Sequence, residues 1–187
     1  MNICFIMYPW DRIEALTDTT LRMIHEAYLR NHNVGIMTPN NLTIRNNDVF
    51  VFVRMIEDNE RVQKDTVKFY KQVKFKEELL PMSGFDVIFL RANPPVDNTM
   101  LNFLDAIKDE VFIVNDVDGI RKANNKLYTA AMFHGKAGVI PETHVSKNKE
   151  YLKRVISESK SDKMILKPLD GYGGSGVILL ERKASAS

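Results

Sequence analysis

Residues 164–177 read MILKPLDGYGGSGV. Four glycines fall within the six positions 171–176, between two runs of β-forming residues. Such a loop can bring backbone N–H groups close to phosphate oxygens, because glycine has no Cβ in the way. Lys167 adds a positive charge at the end of the first run. The pattern predicts a phosphate-binding hairpin, and the alternative is an ordinary glycine-rich surface hairpin.

This loop differs from two common nucleotide-binding motifs. A strand rather than a helix follows it, which excludes the dinucleotide-binding fingerprint, and no Gly-Lys-Ser/Thr triplet ends it, which excludes a Walker A loop. A second lysine, Lys126, precedes it, and Pro141-Glu142-Thr143 lies between Lys126 and Lys167. Two lysines near one glycine-rich loop favour the phosphate-binding interpretation.

Upstream of the loop, short apolar runs alternate with amphipathic stretches. Buried strands are expected at 2–7, 34–37, 85–90 and 111–114. One helix is expected to follow a cap at Asp18 or Thr17, and another to follow a cap at Asp97. This alternation predicts an α/β fold with an open, mostly parallel Rossmann-like sheet, which binds ligands at the carboxyl ends of its strands.

Other segments interrupt that alternation. The runs 41–44 and 49–53 flank Asn46-Asn47, which predicts a hairpin, since Asn tolerates positive φ. Residues 57–83 are charged and weakly periodic and are expected to be mixed helix and loop. Further helices are expected at about 119–134 and 147–159. We predict an N-terminal substrate-binding domain at 1–115 and a partial α+β domain at 116–187.

Composition excludes several classes of protein. The chain has 187 residues, 44% of them hydrophobic, and a net charge of +2, which is too small for a nucleic-acid footprint. No apolar run approaches the roughly 20 residues of a membrane span, and a cytoplasmic location is expected. The only cysteine, Cys4, is expected to be a buried, inert thiol. The four histidines lack metal-ligand spacing and are interpreted as structural or surface residues.

Arg91 is the candidate for binding a substrate carboxylate. It follows a predicted strand, and a guanidinium can hold a carboxylate with two N–H groups. The alternative is a surface salt bridge. Thr19 and Thr20 begin a predicted helix, where free N–H groups favour anions, although helix capping explains them equally well. Trp10 either leans over a ligand cleft or anchors its loop.

Several motifs, in order and spacing, resemble those of the bacterial glutathione synthetases within the ATP-grasp superfamily. They extend over essentially the whole chain: Asp18-Thr19-Thr20, residues 89–97, Val114-Asn115, Arg121, Asn125-Lys126-Leu127, Pro141-Glu142-Thr143, residues 165–171 and Gly173-Gly174. The resemblance implies an ATP-grasp ligase that phosphorylates the carboxylate of γ-glutamylcysteine with ATP. Glycine then attacks the acyl phosphate to give glutathione.

The resemblance also implies roles for particular residues. Lys126 and Lys167 are expected to contact the ATP phosphates, and the loop residues Gly171, Gly173, Gly174 and Ser175 to close over them. Arg91, Thr19, Thr20 and Asn93 are the expected substrate-binding residues, although Asn93 stands where the family often has a charged side chain. No catalytic residue and no metal ligand is assigned within the chain, because the family's Mg²⁺ ligands are expected beyond it. The chain alone is therefore expected to be inactive.

Two other functions remain open. One is an ATP-grasp ligase for another carboxylate substrate, and the other is a stand-alone, non-catalytic ligand-binding module. The resemblance suggests a homo-oligomer, whereas the apolar face of the second domain can instead drive non-native association.

Overall fold

A computed structural model describes residues 1–57, 64–92, 95–132 and 140–181. In these segments the strands are β1 (Asn2–Ile6), β2 (Asn33–Met37), β3 (Leu42–Arg45), β4 (Asp48–Ile56), β5 (Phe75–Pro81), β6 (Val87–Leu90), β7 (Phe112–Val114), β8 (Lys163–Leu166) and β9 (Ile178–Glu181). The helices are α1 (Thr19–Leu29), α2 (Thr66–Gln72), α3 (Asn98–Asp105), α4 (Val117–Ala123), α5 (Lys126–Met132) and α6 (Lys149–Glu158). None of these helices is both long and apolar enough to cross a membrane.

The chain divides into two compact units, Met1–Gly119 and Ile120–Ser187. The predicted assignment of 1–115 and 116–187 as functional domains stays a prediction.

The sheet of the first unit has a parallel centre. Strands β2, β1, β6 and β7 lie side by side and parallel, so that Ile36, Phe5, Phe89 and Val114 are neighbours across it. Four of the five residues of β1 are buried, because neighbouring structure covers both of its faces. Their continuous apolar sequence follows from this position, and the carboxyl ends of these strands meet at one edge.

The other half of this sheet is antiparallel, which corrects the expectation of a mostly parallel sheet. β4 pairs antiparallel with β2 and β3 on one edge and with β5 on the other. Three strand pairs are thus parallel and three antiparallel in the described part of the sheet. The sheet is mixed because a long hairpin arm, rather than another crossover helix, follows β2.

Helix α1 packs on the parallel centre of the sheet. The Asp18 side chain caps the helix by accepting a hydrogen bond from the N–H of Leu21, as expected. The buried residues Leu21 and Ile24 lie on one face of the helix and join a core cluster with Phe5 and Ile36 of the sheet. Asp97 caps α3 in the same way, so both predicted caps are confirmed.

The hairpin of β3 and β4 is also confirmed. Arg45 pairs with Asp48, and the two residues between them, Asn46 and Asn47, have φ of 52° and 69°. Residues 58–63 lie outside the described residues; for the rest of 57–83 the expectation of mixed helix and loop was wrong in part, because β5 is a strand over Phe75–Pro81, although α2 is helical. The chain folds β5 against β4 along seven residue pairs.

The second unit contains two helices after α4 and a two-stranded sheet. The helix expected over 119–134 is two helices, α4 and α5, because Asn125 accepts hydrogen bonds from the N–H groups of Leu127 and Tyr128 and begins α5. Helix α6 is confirmed and is capped by Asn148. Strands β8 and β9 pair antiparallel and are joined by residues 167–177, here called the glycine loop.

Candidate functional site

Arg91 meets Thr19 and Thr20 in the first unit. Arg91 directly follows β6, and its backbone N–H donates to the carbonyl of Ile6, 2.7 Å away. Its guanidinium Nε donates to Thr20 Oγ1 and its Nη2 to Thr19 Oγ1, both at 3.1 Å. The structure thus brings Arg91 together with two other predicted substrate-binding residues, Thr19 and Thr20, which precede it by 72 and 71 positions. We call them the Arg91 cluster.

The fold explains why these side chains meet. Parallel pairing of β1 with β6 sets Arg91 beside the end of β1. From the end of β1 the chain leads to the first turn of α1, where Thr20 is buried and Thr19 is exposed. Two of the five N–H groups of the guanidinium are held by the two hydroxyls. Arg91 takes part in no ion pair with another described residue. The alternative interpretation of Arg91 as a surface salt bridge is therefore not supported within the described residues.

The remaining predicted substrate residue, Asn93, lies outside the described residues. The structure therefore does not test its role.

Lys126 contacts the glycine loop in the second unit. Its ammonium donates to the carbonyl of Gly171 at 2.7 Å and to that of Leu169 at 3.3 Å. Its backbone N–H also donates to the Leu169 carbonyl, at 3.4 Å. Lys167 lies just after β8, and its side chain is exposed. In the described part of the chain, Lys126 rather than Lys167 forms the contact with the loop backbone.

The glycine loop is a tight backbone turn. Gly173 and Gly174 have φ of +59° and +79°, a region that side-chain-bearing residues rarely adopt. The N–H of Ser175 donates to the Tyr172 carbonyl at 3.0 Å, which closes the turn. At Gly171 the reason for glycine is steric, because a Cβ there would lie 2.5 Å from Cγ of Pro168. A compact turn of this kind can present backbone N–H groups to an anion.

A cavity that the sequence did not reveal lies in the first unit. Its volume is about 320 Å³, and Trp10, Met37, Phe52, Arg54 and Leu79 are among its lining residues. The only sequence signal for it was Trp10 after the first strand. Trp10 also contacts the tilted ring of Tyr70 in α2 and, edge to face, the ring of Phe75 in β5, so it both anchors its loop and lines the cavity.

The described residues contain no group of three or more histidine, cysteine or acidic side chains that could hold a metal ion. His25 is buried, is within hydrogen-bond distance of Thr66 and stacks on Phe69, a structural role as expected. Cys4 is fully buried, and burial raises the pKa of its thiol well above the ordinary range. This confirms the expected inert thiol.

Residues 125–186, which contain Lys126 and the glycine loop, match the family model described as prokaryotic glutathione synthetase, ATP-grasp domain. The class of protein is therefore the ATP-grasp class. Residues 1–121, which contain the Arg91 cluster, match the model described as prokaryotic glutathione synthetase, N-terminal domain. The chain belongs to the prokaryotic glutathione synthetase family, and the resemblance seen in its motifs is confirmed.

Individual relatives agree with this assignment. The glutathione synthetase of Nitrosomonas europaea is 29% identical over 97% of this chain and 55% of its own length. That of Escherichia coli O6:H1 is 32% identical over 95% of this chain and 54% of its own length. That of Rhodopseudomonas palustris is 27% identical over the same shares. The chain spans about half the length of these curated relatives.

Proposed function

We propose that this chain supplies the carboxylate-binding and phosphate-binding parts of an ATP-dependent ligase that joins γ-glutamylcysteine and glycine. The observation that carries the proposal is that two successive models of one ligase family cover residues 1–121 and 125–186. The Arg91 cluster lies in the first match and the lysine-bound glycine loop in the second. The proposal includes a cytoplasmic location and a homo-oligomeric protein.

The proposed reaction has two steps. A carboxylate oxygen of γ-glutamylcysteine attacks the γ-phosphorus of ATP, which gives an acyl phosphate and releases ADP. The glycine amine then attacks the acyl carbon, so that an amide bond forms, inorganic phosphate leaves and the amine loses a proton. The contribution of this chain would be to position the reactants and to stabilise charge, as is usual in phosphoryl transfer.

The carboxylate side of the proposal rests on Arg91. Its guanidinium is fixed by two hydroxyls on a neighbouring helix, at 3.1 Å each, so that it does not have to be ordered when a substrate arrives. A fixed guanidinium can hold a carboxylate with two parallel hydrogen bonds. Thr19 and Thr20 would therefore act through Arg91, and Asn93 stays a predicted neighbour.

The phosphate side of the proposal rests on the second unit. Lys126 and Lys167 would supply positive charge, and Gly171, Gly173, Gly174 and Ser175 would supply a loop narrow enough for N–H groups to reach phosphate oxygens. The proposal includes Mg²⁺ as a cofactor whose ligands are expected beyond this chain, and no step is assigned to that ion.

Ligand titrations followed by NMR chemical shifts test the carboxylate side. We expect γ-glutamylcysteine to shift the amides of residues 19–21 and 91. The C-terminal amide of this peptide keeps the glutamyl α-carboxylate but lacks the cysteine carboxylate, and we expect it to bind at least about tenfold more weakly. Arg91→Met should remove the difference between the two ligands. Arg30→Met is the matched control, because Arg30 forms only an exposed pair with Glu26 on the same helix as Thr19.

The same titrations separate the competing functions. Equal binding of a panel of other carboxylic acids would contradict γ-glutamylcysteine as the substrate and favour a ligase for another acid. Carboxylate binding without any response of the glycine loop to Mg-ATP would favour the non-catalytic binding module. No response to any of these ligands would overturn the proposal for this chain.

A further inference from the structure

The ammonium of Lys126 is hydrogen-bonded to the glycine loop. Its 2.7 Å contact with the carbonyl of Gly171 is as short as a charge-assisted hydrogen bond, and a second carbonyl, that of Leu169, lies at 3.3 Å. A lysine ammonium has three N–H donors. Two of them are thus used by the loop itself, and the side chain is half-buried against it.

These two contacts also set the direction of neighbouring N–H groups. A trans peptide bond has its C=O and its N–H on opposite sides. Lys126 draws two carbonyls to its own side of the loop. The N–H groups of the next residues, Asp170 and Tyr172, are therefore directed away from the ammonium. An anion that binds through these N–H groups needs this orientation in advance.

Gly171 and Gly176 pack closely on Pro168, and the pairing of β8 with β9 holds the ends of the loop, but the tip between these contacts has few other restraints. Residues 172–179 are exposed, and a Cβ at Gly173 or at Gly174 would meet nothing within 4 Å. The contacts inside the turn are the hydrogen bonds from the N–H of Ser175 to Tyr172 and from the N–H of Val177 to Gly174. Short bonds within a glycine-rich turn do not by themselves hold the turn against the rest of the unit, because glycine retains wide conformational freedom.

We propose that Lys126 is a positioning residue that braces the glycine loop through the carbonyls of Leu169 and Gly171. The proposal rests on the proposed function only for the identity of the anion that the braced loop receives. The brace itself involves only residues of this chain and can be tested without nucleotide.

Amide hydrogen exchange of the whole 187-residue chain, without nucleotide, provides the test. In Lys126→Met we expect the amides of Ser175 and Val177 to exchange at least roughly tenfold faster. A hydrogen bond from a charged donor stabilises the closed form of the loop by about this factor or more, and the substitution removes two such bonds. Lys126→Arg, which keeps charge and donors, should restore most of the protection. Lys167→Met is the matched control, because it removes the charge of the first residue of the loop but leaves both contacts of Lys126 with the loop carbonyls in place.

An unchanged exchange rate in Lys126→Met, or the same acceleration in Lys167→Met, would overturn the proposal. Lys126→Met can also unfold the second unit, which would be seen as loss of protection in α6. In that case the test is made on the unaltered chain. Its Lys126 ammonium hydrogens should exchange more slowly than those of Lys122, an exposed lysine of α4. Equal rates would again refute the brace.

A separate Mg-ATP titration distinguishes this inference from the proposed function. Failure to bind Mg-ATP together with accelerated exchange in Lys126→Met would leave the brace standing and refute only the nucleotide role. Binding of Mg-ATP together with unchanged exchange in Lys126→Met would support the nucleotide role and refute the brace.

Discussion

Cys4 lies in the centre of the sheet, on β1 between β2 and β6, with no exposed surface. Burial raises the pKa of its thiol because the thiolate would lose its hydration. In the unfolded chain the same thiol ionises near pH 8.5 or so. Above that pH the unfolded state has lost a proton that the folded state keeps. The free energy of unfolding must therefore fall as pH rises beyond this value.

Replacing Cys4 by alanine should remove this pH dependence. Above about pH 8.5 the unfolding free energy of the unaltered chain should fall relative to that of Cys4→Ala by about 1.4 kcal/mol per pH unit, the value for one proton. Urea unfolding followed by the fluorescence of Trp10, the only tryptophan, measures it in the first unit. A constant difference between the two proteins from neutral to alkaline pH would contradict a buried neutral thiol.

Single residues differ in how far sequence could predict them. Arg91, Thr19 and Thr20 could be predicted as neighbours, because strand ends and helix starts meet at one edge of an α/β sheet. The bonds from Lys126 to two loop carbonyls could not, because a carbonyl carries no residue identity and its direction depends on backbone angles. The cavity beside Trp10 also had no clear signal in the sequence, because much of its wall is formed by β4 and β5, whose pairing the local sequence pattern does not predict.

Among the elements, the turn between β3 and β4 has the clearest conformational demand. Both Asn46 and Asn47 have positive φ, as hairpins with two-residue loops often require. Asn tolerates this region better than most residues, glycine better still, and β-branched residues poorly. The stability of the hairpin should thus follow the residue at position 47.

We expect Asn47→Gly to raise the unfolding free energy by a few tenths to about 1 kcal/mol and Asn47→Val to lower it by about 1–2 kcal/mol. Asp48→Val is the matched control, because Asp48 is an equally exposed neighbour that already belongs to β4. Urea unfolding of the three variants measures the effect. An equal loss in Asn47→Val and Asp48→Val would show that valine acts through its surface and not through φ.

Strand β5 shows what sequence lacks at this scale. Its residues, FKEELLP, do not alternate between apolar and polar, although exposure alternates along the strand from Glu77 to Pro81. They form a strand because β4 offers them a free edge over seven residue pairs. Such a partner is distant in sequence and cannot be read from local pattern. By contrast, β1, α1 and α3 were predictable, since continuous burial or a capped amphipathic face is a local property.

For the whole molecule, the order of motifs was more informative than any single element. The family was recognisable because spaced motifs agree along the chain, and the family models match nearly all of it. The proportion of parallel strands was not predictable, because the direction of β4 depends on the turn before it and on its pairing with β2. Sequence pattern therefore gave the class of fold but not the whole sheet.

The two compact units differ in how much apolar surface they bury. The buried hydrophobic residues in the described segments all lie in the first unit except Ile120. Each large side chain of this kind adds roughly 1.5–3 kcal/mol. In the second unit, the cross-strand neighbours Ile165 and Leu179 are 59% and 55% exposed. We therefore expect the second unit of this chain to open at a lower free energy than the first.

Hydrogen exchange of this chain at increasing, sub-denaturing urea measures both openings. Amides of β8, β9 and α6 should exchange through an opening of lower free energy than amides of β1, β2 and β6. Asn47→Val, a change in the first unit, should lower the opening free energy of β1, β2 and β6 and leave that of β8, β9 and α6 unchanged, since independent cooperative units do not couple. If all these amides instead converge on one free energy, and Asn47→Val lowers it everywhere, the chain unfolds as a single cooperative unit. The difference in burial would then not control its stability.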